Sequence, residues 1–117
     1  MGLVENVNNG HRSTVGIKTD KNVRYIKLID YIEEIGYDHF KFYGFIVFEN
    51  KRYGGKQIAL VVSPDTFVNI PKRYAESFES VTDDELHLIF DGKMEICDVH
   101  EISSKNGNTV TFNLHIL

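Results

Sequence analysis

The residue types best suited to binding chemistry crowd between Phe40 and Lys56, where the sequence reads FKFYGFIVFENKRYGGK. Phe42, Tyr43, Phe45, Phe48 and Tyr53 are interleaved there with Lys41, Lys51, Arg52 and Lys56. Single-stranded nucleic acid is held by rings that stack on its bases and cations that follow its phosphates, so this mixture suits such a ligand. Alternation along one extended strand puts Lys41, Tyr43, Phe45 and Val47 on one side and Phe40, Phe42, Gly44, Ile46 and Phe48 on the other. Most of these rings must be core, because a small domain has few other large residues to fill it. Tyrosine is the usual ring for a half-wet position. Lys41, Tyr43, Arg52, Tyr53 and Lys56 are therefore the expected nucleic-acid-binding residues.

Catalytic patterns are weaker. Pro64-Asp65 ends an apolar run, and Asp91-Gly92-Lys93 follows 26 positions beyond Asp65. The text PD…DxK resembles that of nucleases in which two carboxylates hold Mg²⁺ and a lysine positions or activates the attacking water. That family needs its second acid on a strand beside the first, whereas Asp91 reads as a helix end with Gly92 as the stop. The five histidines, His11, His39, His87, His100 and His115, form no HxxxH or HxH pair. Alternation sends Cys97 and His100 to opposite faces of a strand, so no metal site is expected. Cys97 lacks a visible activating partner and reads as a small buried thiol. Gly54-Gly55 is a turn, and nothing resembles a phosphate-binding GxxxxGK[ST] loop. No catalytic residue and no cofactor are assigned, and the chain is not read as an enzyme.

A second surface is acidic. Glu76, Glu79, Asp83, Asp84 and Glu85 spread over a helical stretch, where carboxylates could imitate a phosphate array and bind a basic groove on another protein. Residues 41–73 carry six cations against Glu49 and Asp65, while residues 74–101 carry nine carboxylates against Lys93. The chain can thus present a positive face and a negative face despite a net charge of −4.

These residues need elements to hold them. His39–Glu49 and Lys56–Ser63, rich in aromatic and β-branched residues, read as strands joined by the turn NKRYGG. The segment from Val23 to Ile35 is ambiguous: Tyr25, Ile29, Ile32 and Ile35 have near-helical spacing with Gly36 as a stop, yet β-branched content favours strand. Asn69 can cap a helix with Pro71 in its first turn, carrying Tyr74, Phe78 and Val81 on one face. Thr82 and Glu85 fit a capping box for a second helical piece that ends at Gly92. A hairpin follows, with Met94, Ile96, Asp98, His100 and Ile102 on one face of its first strand. Val110, Phe112, Leu114 and Ile116 alternate along the second, and Asn106-Gly107 supplies the turn.

The resulting order β-β-β-α-β-β is that of an oligonucleotide/oligosaccharide-binding (OB) barrel, a mainly β fold with a helix between its third and fourth strands. The alternative is an α+β fold with an N-terminal helix packed on a four-stranded antiparallel sheet. The stretch YGGKQIALVV…VNIPKRYAESFESVTDDELHLIFDGKMEICDV resembles small phage and mobile-element proteins of low-GC Gram-positive bacteria, including their single-stranded DNA-binding-like barrels. The resemblance covers roughly residues 40–117 and implies nucleic-acid transactions or interference with a host protein. The expected partner is single-stranded nucleic acid, or alternatively a host defence or nucleic-acid-handling protein met by the acidic face.

At 117 residues the chain suits one domain, 1–117, with residues 1–14 as a polar, mobile arm. One cysteine excludes an intramolecular disulfide, and the longest apolar run, Ile58–Val62, cannot span a bilayer. The N-terminal stretch lacks a signal-peptide core, so a cytoplasmic location without membrane contact is expected. An exposed strand edge would make a homodimer possible.

Overall fold

The computed structural model describes residues 14–49, 55–104 and 107–117. Its strands fall into two sheets, and the chain passes between them at a corner created by the aromatic run. β1 (Arg24–Lys27) leads straight into α1 (Leu28–Ile35), so the ambiguous segment is both strand and helix. Arg-Tyr-Ile-Lys supplies the extended piece. Leu28, buried in the core, then begins a helix that ends where Gly36, at φ 79°, turns its N–H back to the Ile32 carbonyl.

The expected single strand His39–Glu49 is two strands. β2 (Phe40–Lys41) belongs to one sheet and β3 (Phe45–Glu49) to the other. At the corner between them Phe42 is fully buried. Gly44 lies so close to the backbone of Thr14 and Val15 that a β-carbon would approach them to 2.6–2.7 Å. Only glycine fits such an approach. Because the strand breaks, its alternation does not carry through: Phe40, Phe42 and Phe45 all reach the core.

β4 (Lys56–Ser63) turns at Pro64-Asp65 into β5 (Thr66–Ile70), a strand that the sequence reading passed over. Asn69 sits inside β5 and caps no helix. The helical insert begins after Pro71 with a 3-10 turn (Lys72–Tyr74), then α2 (Ala75–Glu79) and α3 (Asp83–Phe90). The capping box forms as expected, with the Thr82 hydroxyl accepting from the Glu85 N–H and the Glu85 carboxylate accepting from the Thr82 N–H. β6 (Met94–Ser104) and β7 (Gly107–Ile116) complete the chain as a long hairpin. A bulge between Cys97 and His100, with Asp98 at φ 55°, reverses the expected face: Val99 is buried, whereas Asp98 and His100 are exposed. Residue 106 of the expected Asn-Gly turn lies outside the described residues.

One sheet has the order β1-β5-β4-β3, with β1 parallel to β5 and the other pairs antiparallel. The other is antiparallel with the order β2-β6-β7. The protein is thus mainly β, and the two sheets do not close into a barrel. With its helices the fold is α+β-like, as in the alternative, except that the four-stranded sheet is mixed rather than antiparallel. Phe42, Phe45 and Phe78 pack edge-to-face in the main core, with ring centroids 5.2–6.0 Å apart. Leu60, Val68, Ile89 and Ile96 are fully buried around them. Each such side chain contributes about 1.5–3 kcal/mol by leaving water. Among the described residues no helix is long and apolar enough to cross a membrane.

Candidate nucleic-acid interface

Of the five expected nucleic-acid-binding residues, Lys41, Tyr43 and Lys56 are described, and they fall on the three-stranded sheet, at the corner and on the four-stranded sheet. Lys41 is exposed on the three-stranded sheet, directly opposite Glu95 in register. Tyr43 is half-buried, and its ring lies over Gly92 so closely that a β-carbon there would come within 2.6 Å of it. Lys56, on the other sheet, donates to the Glu79 carboxylate at 2.8 Å. That bond, and Coulomb attraction to the same carboxylate, hold the Lys56 ammonium above its ordinary pKa. Arg52 and Tyr53 lie outside the described residues. Of the described candidates, one ring supports the fold and both cations stand beside carboxylates.

A different surface emerges on the four-stranded sheet. Its inner rows, including Ile26, Val68, Leu60 and Phe45, face the main core. Its outer rows carry a second, smaller apolar cluster of Ala59, Val61 and Phe67. Val15, Ile17 and Val23 from the preceding chain pack against that cluster and cover one end of the face. The Phe45 N–H donates to the Thr14 carbonyl, and the Gly16 N–H donates to the Tyr43 carbonyl, fixing this cover to the corner. Thr14, the last residue of the expected mobile arm, is therefore anchored.

At the other end the face is open. Tyr25, Ile46, Phe48 and Asn69 border a shallow depression of about 450 Å³. Tyr25 is 53% exposed and Phe48 40%, high values for rings on a sheet. Tyr25 is steadied from below by Phe67, edge-to-face at 5.5 Å. Register places Lys27 beside Asn69 and Gln57 beside Phe48 on the same face. None of these outward residues is acidic. The arrangement offers two ring faces, two side-chain amides and one exposed cation, which is the equipment for stacking and hydrogen-bonding bases.

Sequence reasoning missed this site for identifiable reasons. Phe48 was grouped with core rings by an alternation that the corner interrupts, and Tyr25 fell in the segment of undecided structure. The usable signal was local: within β3 alone, Ile46 and Phe48 alternate against Phe45 and Val47.

The five acidic candidates, Glu76, Glu79, Asp83, Asp84 and Glu85, are all exposed on α2 and α3. Glu79 is engaged by Lys56, and Glu85 by the capping box. The nuclease-like residues have local employment: the Asp65 carboxylate accepts from the hydroxyls of Ser63 and Thr66 at 2.8 and 3.0 Å, and Asp91 follows α3 as its C-cap. Those two hydroxyls hold the Asp65 carboxyl below its ordinary pKa. Among the described residues no cluster of His, Cys, Asp or Glu is arranged to hold a metal ion. Cys97 is half-buried, and its thiol is raised in pKa by desolvation and then by Asp98, Glu95 and Asp38. Comparison of the chain with protein-family models, curated proteins and solved structures finds no match.

Proposed function

We propose that this protein is a non-enzymatic binder of single-stranded nucleic acid that uses the open outer face of its four-stranded sheet. One observation carries the reading: half-exposed Tyr25 and Phe48 flank Asn69 on a face whose strand residues include Lys27 and no carboxylate. In a chain of net charge −4, that face is where an anionic, ring-bearing ligand meets least repulsion. Bases stack on the two rings, the Asn69 and Gln57 amides reach base edges, and Lys27 sits near the backbone phosphates.

The test is fluorescence anisotropy of a labelled oligothymidylate at low and near-physiological salt. With one cation on the face, the slope of log K against log[salt] is expected to be shallow, on the order of −1. No binding at low salt would overturn the proposal.

A second reading, a protein partner met by the acidic side, draws on the exposure of Glu76 and Asp84, which are neither the carboxylate that accepts from Lys56 nor part of the capping box. It requires a basic partner surface and predicts that oligothymidylate does not bind.

A further inference from the structure

We infer that two copies of this chain associate by antiparallel pairing of β7 with β7 about Leu114, forming a continuous sheet across a two-fold axis. The inference stands apart from the nucleic-acid reading. β7 is the last strand of its sheet, so one side of its backbone has no strand partner among the described residues. The hydrogen-bond pattern identifies which groups point there. Leu117 donates its N–H to the Lys93 carbonyl on the β6 side, and ladder groups alternate, so the N–H and C=O of Leu114 and Ile116 point to the open edge. The same parity places the Val110 carbonyl outward, where it accepts from the Arg73 guanidinium at 2.5 Å. Arg73 also donates to the Thr109 hydroxyl, and Tyr74 stacks on Phe112 at 4.2 Å. The edge at Thr109 and Val110 is therefore latched by the chain itself, whereas the backbone from Phe112 to Ile116 has no strand partner on that side among the described residues, although the Phe112 ring is covered.

That stretch lacks the devices by which proteins protect a strand edge. From Gly107 to Leu117 there is no Lys, Arg, Asp, Glu or Pro, and the bulge of this hairpin lies in β6. Leu114, Ile116 and Leu117 are each about half exposed. Beside the edge, on the face shared by Leu114, runs a groove of about 390 Å³ whose apolar wall includes Tyr74, Phe78, Val81, Met94 and Phe112. Side chains of an added strand on that face enter this groove.

A second copy fits the edge on charge and on pattern. Antiparallel pairing about Leu114 sets Leu114 against its own symmetry mate and Phe112 against the partner's Ile116. An uncharged strand meets no like charge in itself, which matters because the remaining chain is net acidic. A contact through one short strand is small, in the class of weak and reversible associations.

The direct test is sedimentation velocity of the full chain from micromolar to submillimolar concentration, paired with amide hydrogen exchange over the same range. The expected result is a monomer–dimer equilibrium in which protection of the Leu114 and Ile116 amides rises with concentration. Leu114→Lys puts two charges at the axis, and Ile116→Pro removes an outward donor without costing a ladder bond; each should weaken dimerisation at least tenfold. A chain that stays monomeric throughout overturns the inference. So does a dimer whose formation leaves those two amides unprotected, a result that holds whether or not either variant folds.

Discussion

The outer face of the four-stranded sheet and the acidic surface of α2 and α3 show opposite relations between charge in the sequence and charge in the fold. On the helices the excess of carboxylates is partly spent internally, as Glu79 holds Lys56 and Glu85 closes the cap on Thr82. On the sheet, where the sequence shows no basic run, Lys27 stands beside Asn69 on the face that carries Tyr25 and Phe48, with no acidic neighbour among the strand residues of that face. Of the cations described in the basic run, Lys41 and Lys56 stand beside carboxylates, so a run along the chain does not by itself make a positive surface. Partners at a distance decide which charges remain available.

The comparison breaks most directly at the rings. Replacing Tyr25 and Phe48 together by alanine should weaken oligothymidylate binding by about 100-fold, since each stacked base is worth about 1–3 kcal/mol. Anisotropy measures the loss, and an unchanged thermal midpoint shows that the half-exposed rings are not needed for folding. Retained affinity would return the site to the aromatic run around Tyr43.

Next in size is Gly92→Ala. The residue sits at φ 69°, which a non-glycine enters at a cost of roughly 1–2 kcal/mol, and the added methyl would meet the Tyr43 ring at 2.6 Å. Chemical denaturation should therefore show a loss of about 2 kcal/mol or more. Nucleic-acid affinity of the folded fraction should not change, because Tyr43 packs against the fold and contacts no ligand.

Lys56→Glu sharpens the contrast at lower cost. The ion pair with Glu79 is exposed on both sides, so the fold should survive its loss and the new repulsion from Glu79. If the outer sheet face binds, affinity falls only slightly. If the basic run binds, it collapses.

The smallest effect is on pH dependence. The Ser63 and Thr66 hydroxyls lower the folded-state pKa of Asp65, so its contribution is present above the ordinary carboxylate range and is lost as pH falls through the lowered value. Asp65→Asn should flatten that acidic limb by lowering stability at neutral pH, where the contribution is present, and leaving it unchanged below the lowered value. Denaturation at a series of pH values checks it.

Much of the fold was legible where local chemistry decides it. The Thr82–Glu85 box, the stops at Gly36 and Gly92, and the terminal hairpin depend on residues a few positions apart, and all are present. Features set by distant contacts were not legible. The break at Phe42–Gly44 exists because residues 14–16 pass against Gly44, and nothing within the run signals it. The bulge at Asp98 reverses a face that alternation alone fixes the other way. β5 was hidden because Pro64-Asp65 and Asn69-Ile70-Pro71 read as loop and cap, although the five residues between Asp65 and Pro71 form a strand with both neighbours paired. The site was lost with these, since its rings lie on β1 and β3, which share a face only through β5 and β4 between them.

The decisive measurement is amide chemical-shift mapping by NMR while oligothymidylate is added to the labelled protein. The account predicts that the largest shifts cluster at Tyr25, Lys27, Ile46, Phe48 and Asn69, with α2 and α3 unmoved. Shifts confined to α2, α3 or the surroundings of Lys41 and Tyr43, or none at saturating ligand, would contradict it.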